Sequence, residues 1–163
     1  MEGRTRFARR VCVLVAASLW CLEAPSVEAQ VPAEPVSLHW SVPDVLPPGA
    51  LIAVVRGDPT GPGRSTLQVS MPNGYRIPPH SHPSPEHVEV RAGTLLTGMG
   101  DQLDPRRTRA LSAGDSATAP AGMHHFSIAK GRTILLVTFD GPYTITYLRA
   151  EDAPRPRVFP VGY

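Results

Sequence analysis

The chain has 163 residues, with 16 Lys and Arg against 14 Asp and Glu and a formal net charge of +2, which is room for one domain and too little for two comfortable ones. That balance offers no electrostatic footprint for nucleic acid or an anionic membrane. Both cysteines, Cys12 and Cys21, lie near the start, so a domain beginning after them has no disulfide, no thiolate metal ligand and no cysteine nucleophile.

In chain order, the first element is a leader. MEGRTRFARR carries Arg4, Arg6, Arg9 and Arg10, the apolar run Val11–Leu22 follows, and small residues close the stretch at Ala29. Charged, apolar, then small is the order of a secretory signal peptide, and the apolar run falls well short of the roughly 20 residues that span a bilayer. Residues 1–29 are therefore expected to be removed after Ala29, leaving a periplasmic or secreted protein that starts at Gln30 with a net charge of +1 and no membrane segment. Arg9-Arg10 leaves both general and twin-arginine export open. Trp20 before Cys21 lacks the small residue that lipid attachment would want.

Residues 30–150 read as one all-β domain, and 151–163 as a proline-rich tail. Nineteen prolines and 14 glycines punctuate the chain at intervals typical of a sandwich or barrel. The breaks separate short β-branched and apolar runs at 51–55, 65–70, 87–92, 94–99, 125–130, 133–139 and 143–148. Nothing after residue 29 keeps a 3.6-residue apolar period for three turns, so long helices are not expected. GDPTGPGRS (57–65) and DQLDPRRTR (101–109) read as polar loops.

Histidines cluster in the middle of this domain. His80 and His82 are two apart, so in a strand both imidazoles leave the same face, and Pro78, Pro79, Pro83 and Pro85 stiffen the backbone around them. In the run from 86, Glu86, Val88 and Val90 share one face and His87, Glu89 and Arg91 the other. Turning the apolar face inward carries Glu86 inside and leaves His87 outside. A second group follows in GDSATAPAGMHHF, 114–126, where either His124 or His125 can return to the same cavity. Three imidazoles and one carboxylate around a divalent cation leave positions open for water, substrate or dioxygen, and nitrogen–oxygen ligation suits Fe(II), Mn(II), Ni(II), Co(II) or Zn(II).

Gly74, His80-x-His82, Glu86 and Gly93, at the spacing they have here, resemble the first motif of the cupins, and Gly114, Pro120-x-Gly122 and His125 resemble the second. The closing asparagine of the second motif is replaced by Ala129. The resemblance covers roughly 36–150, and the wording around GYRIPPHSHP and PAGMHHF is similar to that of small single-cupin bacterial proteins. It implies a double-stranded β-helix, or jelly-roll barrel, with His80, His82, Glu86 and His125 as ligands of one divalent metal ion. It further implies an Fe(II)-type dioxygenase on a small organic substrate such as a diketone or flavonol, with Glu86 doubling as general base. A non-redox isomerase or lyase, or a non-catalytic periplasmic carrier of a small ligand, are the alternatives it leaves. Edge pairing into a homodimer is open.

The remaining residues get plainer expectations. His124 is expected beside the cavity mouth, as a surface imidazole or else a proton shuttle, and His39, beside Trp40, as an ordinary packed or exposed strand histidine. Met99, Met123, Phe126 and Phe139 read either as lining of a substrate pocket or, as expected here, as core packing. Tyr75 and Arg76 read either as contacts to an anionic substrate or as an exposed edge pair.

Overall fold

The computed structural model describes residues 37–155; the expected leader and most of the tail lie outside them. Eight strands form one antiparallel system: β1 (Leu51–Arg56), β2 (Gly63–Met71), β3 (Arg76–Ser81), β4 (Glu86–Met99), β5 (Arg109–Ser112), β6 (Ser116–Ala119), β7 (His125–Gly141) and β8 (Thr146–Tyr147). Two short 3-10 turns, Pro105–Arg107 and Ala150–Asp152, are the helical elements among the described residues. The all-β jelly-roll expectation is met.

Two long strands organise the fold. β7 pairs with β2 through Thr133–Gly141 and with β3 through its first residues. β4 runs antiparallel to β7 from Glu86↔Phe139 to Met99↔His125, and its other edge holds β6 and then β5. Each long strand thus bends from one set of partners to another. Alternation explains which faces meet: Leu67, Val69 and Met71 on β2 and Leu135, Val137 and Phe139 on β7 are buried, and Gln68, Leu136 and Thr138 between them are half-buried, although Ser70 is buried as well. These residues join Leu46, Tyr75, Ile77, Val90, Leu95 and Leu111 in one core, which fills the space between the paired faces.

The structure corrects several boundaries. The runs at 87–92 and 94–99 are one strand, as are those at 125–130 and 133–139. The run at 143–148 supplies only Thr146–Tyr147 as strand. β5 and β6 appear where no strand was expected, because each is only four residues long. Phe126 and Phe139 are core residues, but Met99 and Met123 are exposed, since each stands at a strand end where the barrel opens. Tyr75 is neither substrate contact nor exposed: it is buried, with its hydroxyl donated to the Pro47 carbonyl. Arg76 beside it is exposed.

Candidate metal centre

β3 delivers the first histidine. Pro78 and Pro79 have no N–H, and the β3–β7 ladder breaks its register between Ile77 and His80. Pairing resumes with His80 opposite His125, so two residues 45 positions apart in sequence face one another with ring centroids 4.2 Å apart. His82 lies just past the end of β3, and its carbonyl accepts from the Gly122 N–H at 2.8 Å, tying the first histidine motif to the turn of the second. Glu86 opens β4, with Ala119 of β6 on one side and Phe139 of β7 on the other.

All four side chains are buried: 3% exposure for His80, 6% for His82, 7% for Glu86 and 4% for His125. One ligand atom from each lies within 4.8 Å of the others. The expected inside–outside split also holds, since His87 is exposed and bonds Thr118 Oγ1 at 2.9 Å. His124 points away to Asp101, 2.7 Å distant, and is nearly half exposed. His39 is exposed. At Ala129, where the motif's asparagine is missing, the local backbone is intact, with Ala129 N–H donating to Tyr75 O at 2.8 Å and Gly74 N–H to Ala129 O at 2.9 Å.

The ring orientations decide what the cluster can hold. Each imidazole meets a backbone carbonyl through Nδ1: His80 to Pro78 at 2.7 Å, His82 to Thr144 at 2.8 Å, His125 to Met123 at 2.9 Å. A carbonyl can only accept, so Nδ1 carries the proton and Nε2 keeps a lone pair. The Nε2 atoms of His82 and His125 are buried without a hydrogen bond, 3.4 Å from Glu86 Oε1 and Oε2 respectively. Orphaned lone pairs beside a buried carboxylate are costly unless a cation meets them, and Nδ1–H bonded to a carbonyl is the support that metal-ligating histidines usually have. Donors bound to one ion at about 2.1 Å lie at most about 4.2 Å apart, so the observed spread needs shifts of only a few tenths of an ångström. The residues fit one divalent ion.

Electrostatics agree with this reading at His80 and Glu86, while His82 without an ion is drawn toward its protonated form. Burial, reinforced by the neighbouring His125, lowers the His80 pKa to about 3, so that ring stays neutral. Burial also works to lower His82, but its contacts with Glu86 outweigh that and raise it. For Glu86 burial works upward, and the contacts from His125 and His82 prevail, holding the carboxyl ionised and its pKa well below the usual range.

Sequence reasoning missed Tyr143. It is half-buried, donates its hydroxyl to Glu86 Oε1 at 3.0 Å and stacks on His82 with centroids 5.4 Å apart. Burial, then the Glu86 charge, push its pKa far up, which keeps it a donor. A tyrosine following Gly-Pro carries no signal of the carboxylate it will meet 57 residues away.

No protein-family model matches the chain. Germin-like protein 5-1 of Oryza sativa subsp. japonica is 40% identical over 79 residues, 44% of this chain and 35% of that protein. Oxalate oxidase 1 of Hordeum vulgare is 35% identical over 91 residues, 48% of this chain and 45% of the relative. The chain thus spans less than half the length of these curated relatives. Among solved structures, the polyketide cyclase RemF from Streptomyces resistomycificus shares the fold with a TM-score of 0.59 and 15% identity, over 72% of this chain and 84% of that one. With both motifs folded into one cavity of a jelly-roll barrel, and with relatives of this kind, the chain has the fold and the motif residues of the cupin superfamily.

Proposed function

We propose that the chain is a metal-dependent oxidoreductase, of the dioxygenase type, acting on a small organic substrate. The observation that carries this reading is the set of three imidazoles, each with Nδ1–H donated to a backbone carbonyl and Nε2 left with its lone pair, around the buried Glu86. His80, His82, Glu86 and His125 would hold the ion. A bound Fe(II), or Mn(II) in its place, would supply Lewis acidity toward an enolate, diketone or carboxylate oxygen and an electron path to dioxygen.

The chain's own residues supply the rest. Glu86, once released from the ion, would take the proton that an acidic substrate gives up. Tyr143 holds Glu86 Oε1 in place. Val88, Leu95 and Val137 wall the adjoining space with apolar surface, which keeps bulk water from the reacting atoms. The space is small, about 30 Å³, which disfavours ligands as large as flavonols. Oxalate enters the test through the oxalate oxidases among the relatives. Export follows from the order of residues 1–29 as part of the same proposal, and N-terminal sequencing of the protein recovered from its producing cells would begin at Gln30.

The test is metal analysis of untagged protein, then oxygen uptake with Fe(II) or Mn(II) restored, across small diketones, short hydroxy and oxo acids, and oxalate. One equivalent of metal and substrate-dependent uptake are expected, and Glu86→Gln should lower metal affinity at least about tenfold and abolish uptake. Turnover that persists without oxygen would replace this reading with an isomerase or lyase. A ligand recovered unchanged from metal-replete protein would replace it with a carrier.

A further inference from the structure

Two small spaces adjoin the cluster, each about 30 Å³, and Glu86, Val88, Leu95, His125 and Ser127 wall both. Spaces this small exclude large ligands, so the chamber suits a small one. Its charge and its hydrogen-bonding groups then narrow the class.

Among the described residues that line the two spaces there is no lysine or arginine. With three neutral imidazoles and the Glu86 carboxylate, a divalent ion leaves one net positive charge. A singly charged ligand neutralises it. The second charge of a dianion would be buried with no cation to meet it, which is expensive.

Most hydrogen-bonding groups in the walls are already committed. Tyr143 donates to Glu86, Thr97 Oγ1 to the Phe126 carbonyl, and Thr118 Oγ1 pairs with His87. Ser127 is different. It sits two residues after His125 on β7, so it leaves the same strand face, and it is 8% exposed. Among the described residues its hydroxyl makes no hydrogen bond, and its oxygen is not one of the fully buried orphaned atoms, so a ligand in the space can reach it. It opens on the space shared with Glu86 and His125.

We propose that Ser127 is the substrate-orienting hydroxyl of this chamber, and that the substrate is a small, singly charged, oxygen-chelating acid or enolate rather than a dianion such as oxalate. This rests on the reading that a divalent ion sits at the four-residue cluster. The chelating oxygens face the ion, the Ser127 hydroxyl bonds a further oxygen of the ligand, and the aliphatic walls cover its carbon atoms. The specificity lies in what the chamber lacks, a second cation.

The experiment uses the metal-loaded full chain and two probes of nearly equal size, glycolate with one charge and oxalate with two. Each affinity, measured by titration calorimetry, is divided by that of the same ligand for the same ion in water. This removes the stronger intrinsic chelation by oxalate. The ratio for glycolate is expected to exceed that for oxalate at least tenfold. Ser127→Ala should weaken glycolate binding about two- to tenfold, the worth of one hydrogen bond, with metal content and melting temperature unchanged. An oxalate ratio equal to or above that of glycolate overturns the proposed class, and unchanged glycolate binding in metal-replete Ser127→Ala overturns the role of Ser127. Protein that takes up no stoichiometric ion sinks the functional reading itself and this inference with it, an outcome visible before any ligand is added.

Discussion

Tyr143 shows how a single hydroxyl can set the behaviour of a buried carboxylate. Its bond to Glu86 Oε1 is 3.0 Å and its ring lies against His82, so Tyr143→Phe keeps the packing and removes only the donor. A hydrogen bond to a charged group is worth about 1.5–3 kcal/mol. Urea denaturation of the variant should show a loss of that order, and chelator competition a metal affinity about 10–100-fold weaker; unchanged values would mean that the hydroxyl does not hold the carboxylate. His80 gives a second prediction, for the metal-free protein. The unfolded chain protonates this histidine near pH 6.5 and the folded chain only near pH 3, because burial and then His125 disfavour the cation. Between those values the unfolded state binds more protons, so stability falls as pH falls, by at most about 1.4 kcal/mol per pH unit. Glu86, lowered in the fold, adds to the loss below its ordinary value of 4.5, and His82, raised, opposes it in part. The melting temperature of chelator-treated protein should therefore drop from pH 7 to pH 5, and His80→Gln should flatten the slope. At this scale the cluster was legible in the sequence, since period-two parity separates Glu86 from His87 and the spacing of the second motif selects His125 over His124. Tyr143 and Ser127 were not, because their roles depend on which strands the barrel brings alongside.

The elements repeat that lesson. Alternation marked β1, β2 and the halves of β4 and β7, but glycines that looked like turns between strands are bends within them. Gly93 has φ +77° within β4 and Gly131 φ +76° within β7, where the register shifts along the β4–β7 ladder. Left-handed backbone costs a residue with a side chain roughly 1–2 kcal/mol, and the two positions differ in what surrounds them. A Cβ at Gly93 would stand 2.3 Å from the Arg132 carbonyl oxygen and 2.8 Å from Thr133 Oγ1, whereas at Gly131 nothing lies within 4 Å. Gly131→Ala should thus cost about 1–2 kcal/mol. Gly93→Ala should cost clearly more, because backbone must move as well. Chemical denaturation of the pair tests the ranking. Equal costs would mean that β4 and β7 do not approach this closely at the bend. The same contact explains why a glycine in the first motif, seven residues after Glu86, belongs to the scaffold rather than the site: it lets β4 turn from β6 to β5 while Glu86 stays inside.

For the whole molecule, the centre is a junction between segments far apart in sequence. His80 comes from β3, His82 from the turn after it, Glu86 from β4 and His125 from β7. The Tyr143 hydroxyl and the Thr144 carbonyl bring the 143–144 segment onto the same cluster. An ion held there links all of these in the folded state, and the unfolded chain has no such preformed site. Binding to the folded state alone stabilises it by an amount that grows with free ion, about 2.7 kcal/mol at a concentration one hundred times the dissociation constant. For a domain of this size each kcal/mol moves the melting temperature by about 4 °C. Removing the metal should therefore lower it by about 10 °C relative to protein in that excess, and adding the ion back should restore it. Glu86→Gln should show a clearly smaller shift between metal-free and metal-replete protein, because the shift depends on the centre rather than on ions elsewhere on the surface. A melting temperature that ignores both chelator and added Fe(II), Mn(II) or Zn(II) would mean that the folded chain does not bind these ions, and that the three lone pairs around Glu86 serve the barrel in some other way.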